Sequence, residues 1–108
     1  MTGEGRRRRP MERIGDLLPD AARRLGLEEE LRLARAAATW SAIVGERVPA
    51  AAGRSRVVRI VGSLLVVDAD RPIVAQELRL RTVELLEAFA AAPGGGGVTE
   101  LRVQVRHV

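Results

Sequence analysis

Apolar residues recur at a helical interval through the first 44 positions, alternate in the middle, return to a helical interval, and alternate again at the end. From Arg13 to Leu25 the apolar positions are Ile14, Leu17, Leu18, Ala21, Ala22 and Leu25, a spacing of three and four that predicts a helix. Pro19 predicts a kink or break near Leu18, and Gly26 predicts the end of the segment. Leu27 to Val44 predicts a longer helix. Glu28, Glu29 and Glu30 fall in its first turn, where the helix dipole favours acids, and Glu28 is spaced to pair with Arg32. This segment carries two apolar stripes. Leu33, Ala37, Trp40 and Val44 form one, with Ala36 and Ile43 beside it; Leu27, Leu31, Ala34 and Ala38 form the other. A helix with two apolar faces is either buried on both or covered by a partner, and burial within the domain is the expected outcome.

After a connection through Glu46–Gly53, Arg56–Val61 and Leu64–Ala69 read as strands rich in Val, Leu and Ile. Gly62-Ser63 between them is a two-residue hairpin signal of type I′ or II′. That turn sets Val61 opposite Leu64, Ile60 opposite Leu65, Arg59 opposite Val66 and Val58 opposite Val67. The expected core face is then Val58, Ile60, Leu65, Val67 and Ala69. The other face holds Val57, Arg59, Val61, Leu64, Val66 and Asp68, with Arg59 and Asp68 diagonal to each other. Pro72–Ala91 predicts one helix with a core stripe of Val74, Leu78, Thr82, Leu85 and Phe89. Pro93 and Gly94–Gly97 end it. Leu101–Val108 alternates, with Leu101, Val103, Val105 and His107 on one side and Arg102, Gln104 and Arg106 on the other. The predicted class is α+β: a three-stranded sheet, made of the hairpin and the C-terminal strand, with helices packed on one face.

Length and composition narrow the function. A chain of 108 residues with 46% apolar content supports one modest domain. There is no cysteine, and the single histidine is His107, so no thiolate site, catalytic triad or multi-histidine metal site is expected. A phosphate loop of the Walker type requires a lysine, and every basic residue here is Arg. Asp68 and Asp70 sit at a strand end, where turn and capping roles are commoner than acid–base catalysis. No catalytic residue, metal or cofactor is therefore assigned. No apolar run reaches the roughly 20 residues of a membrane helix, and Arg6–Arg9 precede Pro10 and Glu12 rather than an apolar stretch, so the expected location is cytoplasmic.

Charge is unevenly placed. Residues 1–12 lack any apolar period and read as a disordered basic tail carrying Arg6, Arg7, Arg8 and Arg9, ahead of a single domain over 13–108. In the body, the one stretch of Arg without acid is residues 47–59, with Arg54, Arg56 and Arg59 as candidate phosphate contacts. Trp40 and Phe89, the only aromatics, fall on core stripes, so no base-stacking platform is expected. Gly94–Gly97 matches GxxG, the loop that clamps a nucleic-acid backbone in KH domains. It lies between a helix and a strand rather than between two helices, and reads as a linker.

Trp40-Ser41-Ala42-Ile43-Val44-Gly45, then Gly62 ahead of Leu64-Leu65-Val66-Val67, then Ala75-Gln76-Glu77-Leu78-Arg79 form an ordered set of motifs. In order and spacing they resemble the DciA family, from about Ile14 to Val108. A second Trp of the family pattern falls at Val74 here. The resemblance implies a KH-like fold and a bacterial replicative-helicase operator that binds DNA and a DnaB-type helicase and assists its loading. On this view the helicase contact is expected on the mixed outer sheet face or on the flank of the second long helix near Leu80 and Val83. Two other readings stay open: a KH-like RNA- or ribosome-associated binder, and a protein-interaction domain without nucleic-acid affinity.

Overall fold

A computed structural model describes the backbone of residues 2–93 and 95–106 and the side chains of residues 20–93 and 95–106. His107 and Gly94 lie outside the described residues, as do the side chains of Arg6, Arg7, Arg8 and Arg9. Two compact units divide the chain, Met1–Leu31 and Arg32–Val108.

The first helix, α1, spans Thr2–Arg47. Its backbone includes most of the stretch expected as a disordered tail, and it runs through Pro19 and Gly26, where a break and an end were expected. Pro19 removes one i→i−4 hydrogen bond, which a long helix tolerates at a cost. Gly26 keeps a helical φ, whereas a stop at that position needs the left-handed conformation. The good helix formers Leu27, Glu28, Glu29, Glu30 and Leu31 follow it directly. Over residues 20–31, every residue apart from Gly26 is exposed, and Arg23 lies 3.9 Å from Asp20.

The unit Arg32–Val108 holds the core. The remainder of α1 is followed by a 3-10 turn at Pro49–Ala51, strands β1 (Ser55–Val61) and β2 (Leu64–Ala69), helices α2 (Pro72–Leu80) and α3 (Thr82–Ala91), and strand β3 (Glu100–Val105). The sheet order is β1-β2-β3, with β1 antiparallel and β3 parallel to β2. The two helices after β2 thus form the crossover that a parallel pair requires. Gly62 has φ 61° while Ser63 does not take a positive φ, which is the type II′ pattern. The Ser63 carbonyl accepts from Thr99 N–H at 2.9 Å and Glu100 N–H at 3.2 Å, so the hairpin tip also seats the start of β3.

The first stripe of α1 is buried as predicted: Ala36, Trp40, Ile43 and Val44 join the core, with Leu33 and Ala37 partly buried against it. Trp40 Nε1 donates to Ser55 Oγ at 2.9 Å, so its one polar atom is satisfied inside an apolar setting. The second stripe is not buried. Leu27 and Leu31 are 56% and 54% exposed, and Ala34 and Ala38 are exposed as well.

Three further expectations are corrected. The hairpin register holds from Val61↔Leu64 to Arg59↔Val66 and then shifts, so Val57 rather than Val58 faces Val67. Val58 is the extra residue of a β-bulge, which flips the faces of everything before it. Val57 enters the core at 9% exposure, and Arg56 rather than Arg59 stands beside Asp68. The helix expected over Pro72–Ala91 is two helices, broken at Arg81 (φ −110°, ψ 21°). Thr82 Oγ1 donates to the Arg79 carbonyl at 2.7 Å, and this local bond competes with continued helix at the junction. The stripe expected on that helix is otherwise sound: Val74, Leu78, Leu85 and Phe89 are buried, and Ala75 with them.

Gly95 packs against the end of α3. A Cβ placed there would overlap the Phe89 carbonyl oxygen, so only glycine fits. The Gly-rich segment is therefore a packing loop on this side, with Val98 buried behind it.

Candidate nucleic-acid interface

The sheet has one apolar face and one polar face. On the apolar face Leu65, Val67 and Ala69 of β2 lie between Ile60, Val57 and Ser55 of β1 and Leu101, Val103 and Val105 of β3. The helices cover this side, and the core cluster includes all three β2 residues. Because side chains alternate along a strand, the intervening residues must share the opposite face.

That outer face is built in rows. Val61, Leu64 and Glu100 form the row nearest the hairpin tip; Arg59, Val66 and Arg102 form the next; Arg56, Asp68 and Gln104 form the third. Arg106 follows β3, its N–H donating to the Ala69 carbonyl at 2.8 Å. Arg56, Asp68, Arg79, Gln104 and Arg106 line one open groove of about 480 Å3. Arg56, Arg59, Arg102 and Arg106 are all exposed. Val66 between Arg59 and Arg102 is fully buried yet stands apart from the core cluster, consistent with cover by the aliphatic stems of its cross-strand neighbours.

Which arginines carry uncommitted charge depends on their neighbours. Among the described residues, Arg54 pairs with Asp70 at 3.5 Å, Arg47 with Glu84 at 3.4 Å, and Arg81 with Glu77 at 3.1 Å and Glu84 at 3.7 Å. Arg79 donates to the Val103 carbonyl at 2.7 Å. None of Arg56, Arg59, Arg102 or Arg106 is in an ion pair with a described carboxylate. Asp68, beside Arg56 in the register, accepts from Gln104 Nε2 at 2.7 Å.

Of the candidate phosphate contacts read from the sequence, Arg56 and Arg59 share the outer face. Arg54 precedes β1 and is tied to Asp70. The sequence reading overlooked Arg102 and Arg106. The alternation along β3 placed both on its wet side, but only the parallel pairing with β2 shows that this side continues the face of Arg56 and Arg59. Leu80 and Val83, the candidate partner contacts, flank the break between α2 and α3 and are 75% and 70% exposed. The junction reads Arg79-Leu80-Arg81-Thr82, so the position between two helices where a KH domain carries GxxG has no glycine.

Asp68 accepts from Gln104 and Asp70 pairs with Arg54. No group of three or more metal-ligating side chains occurs among the described residues. No helix of the described residues is long and apolar enough to cross a membrane.

Comparison with known proteins adds a family. The family described as "Dna[CI] antecedent, DciA" matches residues 13–103. A protein of Mycolicibacterium paratuberculosis named "UPF0232 protein" is 29% identical over 102 residues, covering 94% of this chain and 55% of that protein. The chain thus spans little more than half the length of that relative.

Proposed function

Because the chain belongs to the DciA family, we propose that it is a non-enzymatic accessory protein of DNA replication. In this reading it binds DNA and a DnaB-type replicative helicase and assists loading of the helicase. The observation that carries the reading is the family match over residues 13–103, nearly the whole folded body. The surface is compatible with it: exposed arginines for a polyanion on one side, and exposed aliphatic side chains for a protein on another.

The DNA contacts are electrostatic. Arg6, Arg7, Arg8 and Arg9 hold phosphates, together with Arg54, Arg56 and Arg59 of the body. Arg54 contributes least, since Asp70 already shares its charge. Base stacking is not part of the mechanism, because both aromatics, Trp40 and Phe89, are buried. The helicase contact is placed at Leu80 and Val83. Two large aliphatic side chains three residues apart, both mostly exposed, are the kind of apolar pair that a partner helix covers.

Co-purification tests the reading. The chain, mixed with the DnaB-type helicase of its own host, is expected to be retained with it, and single-stranded DNA is expected to join the complex. Failure to retain the helicase in either condition contradicts the loader role. RNA displacing DNA at lower concentration favours the RNA-binding alternative instead.

A further inference from the structure

KH domains clamp a nucleic-acid backbone with a GxxG loop between two helices. In this chain the equivalent junction is closed to that use. It has no glycine to let a backbone approach; its Arg81 is held by Glu77 and Glu84, and its Arg79 by the Val103 carbonyl. Four exposed arginines without a described acid partner stand together on the other side of the sheet. We infer that this KH-like body binds nucleic acid on the outer face of its sheet, and that Arg102 and Arg106 of the β3 side join Arg56 and Arg59 of β1 in a single phosphodiester-binding surface.

The geometry supplies the argument. Neighbouring strands lie about 4.8 Å apart, so Arg59 and Arg102, with Val66 between them, start roughly 10 Å apart. Arg102 and Arg106 are four residues apart in sequence, roughly 13 Å along the strand direction. Four exposed guanidinium groups therefore stand at the corners of a patch that spans more than one phosphate of a chain laid over it. The acids near it are Glu100, in the row nearest the hairpin tip, Asp68, engaged by Gln104, and Asp70, paired with Arg54. Arginine suits the task because its planar fork meets phosphate oxygens two at a time. The face offers no aromatic ring, so bases are not stacked there, and the contact is with the phosphodiester backbone.

This assignment rests on the proposed DNA-binding role, and the experiment separates the two. The full chain and its Arg102→Gln/Arg106→Gln variant are titrated against labelled oligothymidine, oligoadenine and a mixed-sequence duplex, by fluorescence anisotropy, between about 50 and 200 mM salt. An Arg47→Gln/Arg81→Gln variant, at two arginines already paired with acids, serves as the control for lost charge alone, and circular dichroism confirms that each variant is folded. The β3 variant is expected to lower the log–log salt slope by about 1.4 on single strands and about 1.8 on duplex. Its affinity at low salt is expected to fall by roughly tenfold or more. The control is expected to stay within about twofold of the parent, and the two homopolymers within about threefold of each other. A folded β3 variant with the parent's affinity and slope overturns the site while leaving DNA binding intact. A large preference for one base overturns the backbone-only mode. A parent chain that binds none of the three probes overturns the DNA-binding role itself.

Discussion

The outer face of the sheet and the α2–α3 side of the body both carry arginines, and they differ in what those arginines touch. On the helical side Arg47 and Arg81 converge on Glu84, Arg81 also meets Glu77, and Arg79 caps a carbonyl of β3. The charges of Arg47 and Arg81 are matched there by acids, and two large apolar side chains project, Leu80 and Val83. On the sheet side four arginines project without a described acid partner, and the apolar residue among them, Val66, is covered. A count of arginines along the chain cannot separate these regions. Pairing does, because an arginine already neutralised by a carboxylate has little left for a polyanion, while an unpaired one on a flat face releases counterions when it meets a phosphate.

The contrast depends on a core that both sides share, so the largest effect comes from breaking that core. Trp40→Ala removes the largest buried side chain and is expected to cost about 3–5 kcal/mol, abolishing DNA and helicase binding together. Thermal unfolding by circular dichroism measures it. Ser55→Ala leaves Trp40 Nε1 without its acceptor and is expected to cost about 1–3 kcal/mol with the fold retained. Denaturant titration reads that loss. If Ser55→Ala changed DNA affinity at a temperature where it is fully folded, the separation of core from surface would be wrong.

Surface substitutions then divide the two sides. Leu80→Ser with Val83→Ser is expected to abolish helicase retention while changing stability by no more than about 0.5 kcal/mol, with DNA affinity unchanged. Pull-down and anisotropy on the same preparation check both halves. Loss of DNA binding in this variant would merge the two sides into one. Smallest of all, Arg54→Ala breaks only an exposed pair with Asp70 and is expected to shift stability by less than about 1 kcal/mol and DNA affinity by less than about threefold. A larger loss of DNA affinity would return Arg54 to the centre of the interface.

Much of this architecture is legible in the chain itself. The succession of helical, hairpin, helical and strand regions, the two-residue turn at Gly62-Ser63 and the core stripes of Trp40, Leu78, Leu85 and Phe89 follow from periodicity, because a buried face repeats at the interval of its element, whereas the number of helices on each side of the hairpin does not. Other features depend on competition between local and distant contacts. The bulge at Val58 follows no glycine or turn signal; it places Val57 in the core and Arg56 beside Asp68. The break at Arg81 turns on one Thr82 hydroxyl bonding a carbonyl three residues back. The run through Gly26 shows that a glycine stops a helix only where a left-handed φ is adopted. For the interface, Arg56 and Arg59 were visible as an acid-free stretch. Arg102 and Arg106 were not, since they lie more than 40 residues away and meet the others only through the parallel pairing of β2 with β3.

The separation of the two sides is tested most directly by recording backbone amide shifts of the isotopically labelled full chain while oligothymidine is added. The account predicts the largest changes at Arg56, Arg59, Val66, Arg102, Gln104 and Arg106, with Leu80 through Val83 nearly still. Changes concentrated at Leu80 through Val83, with the outer sheet residues unmoved, would contradict it.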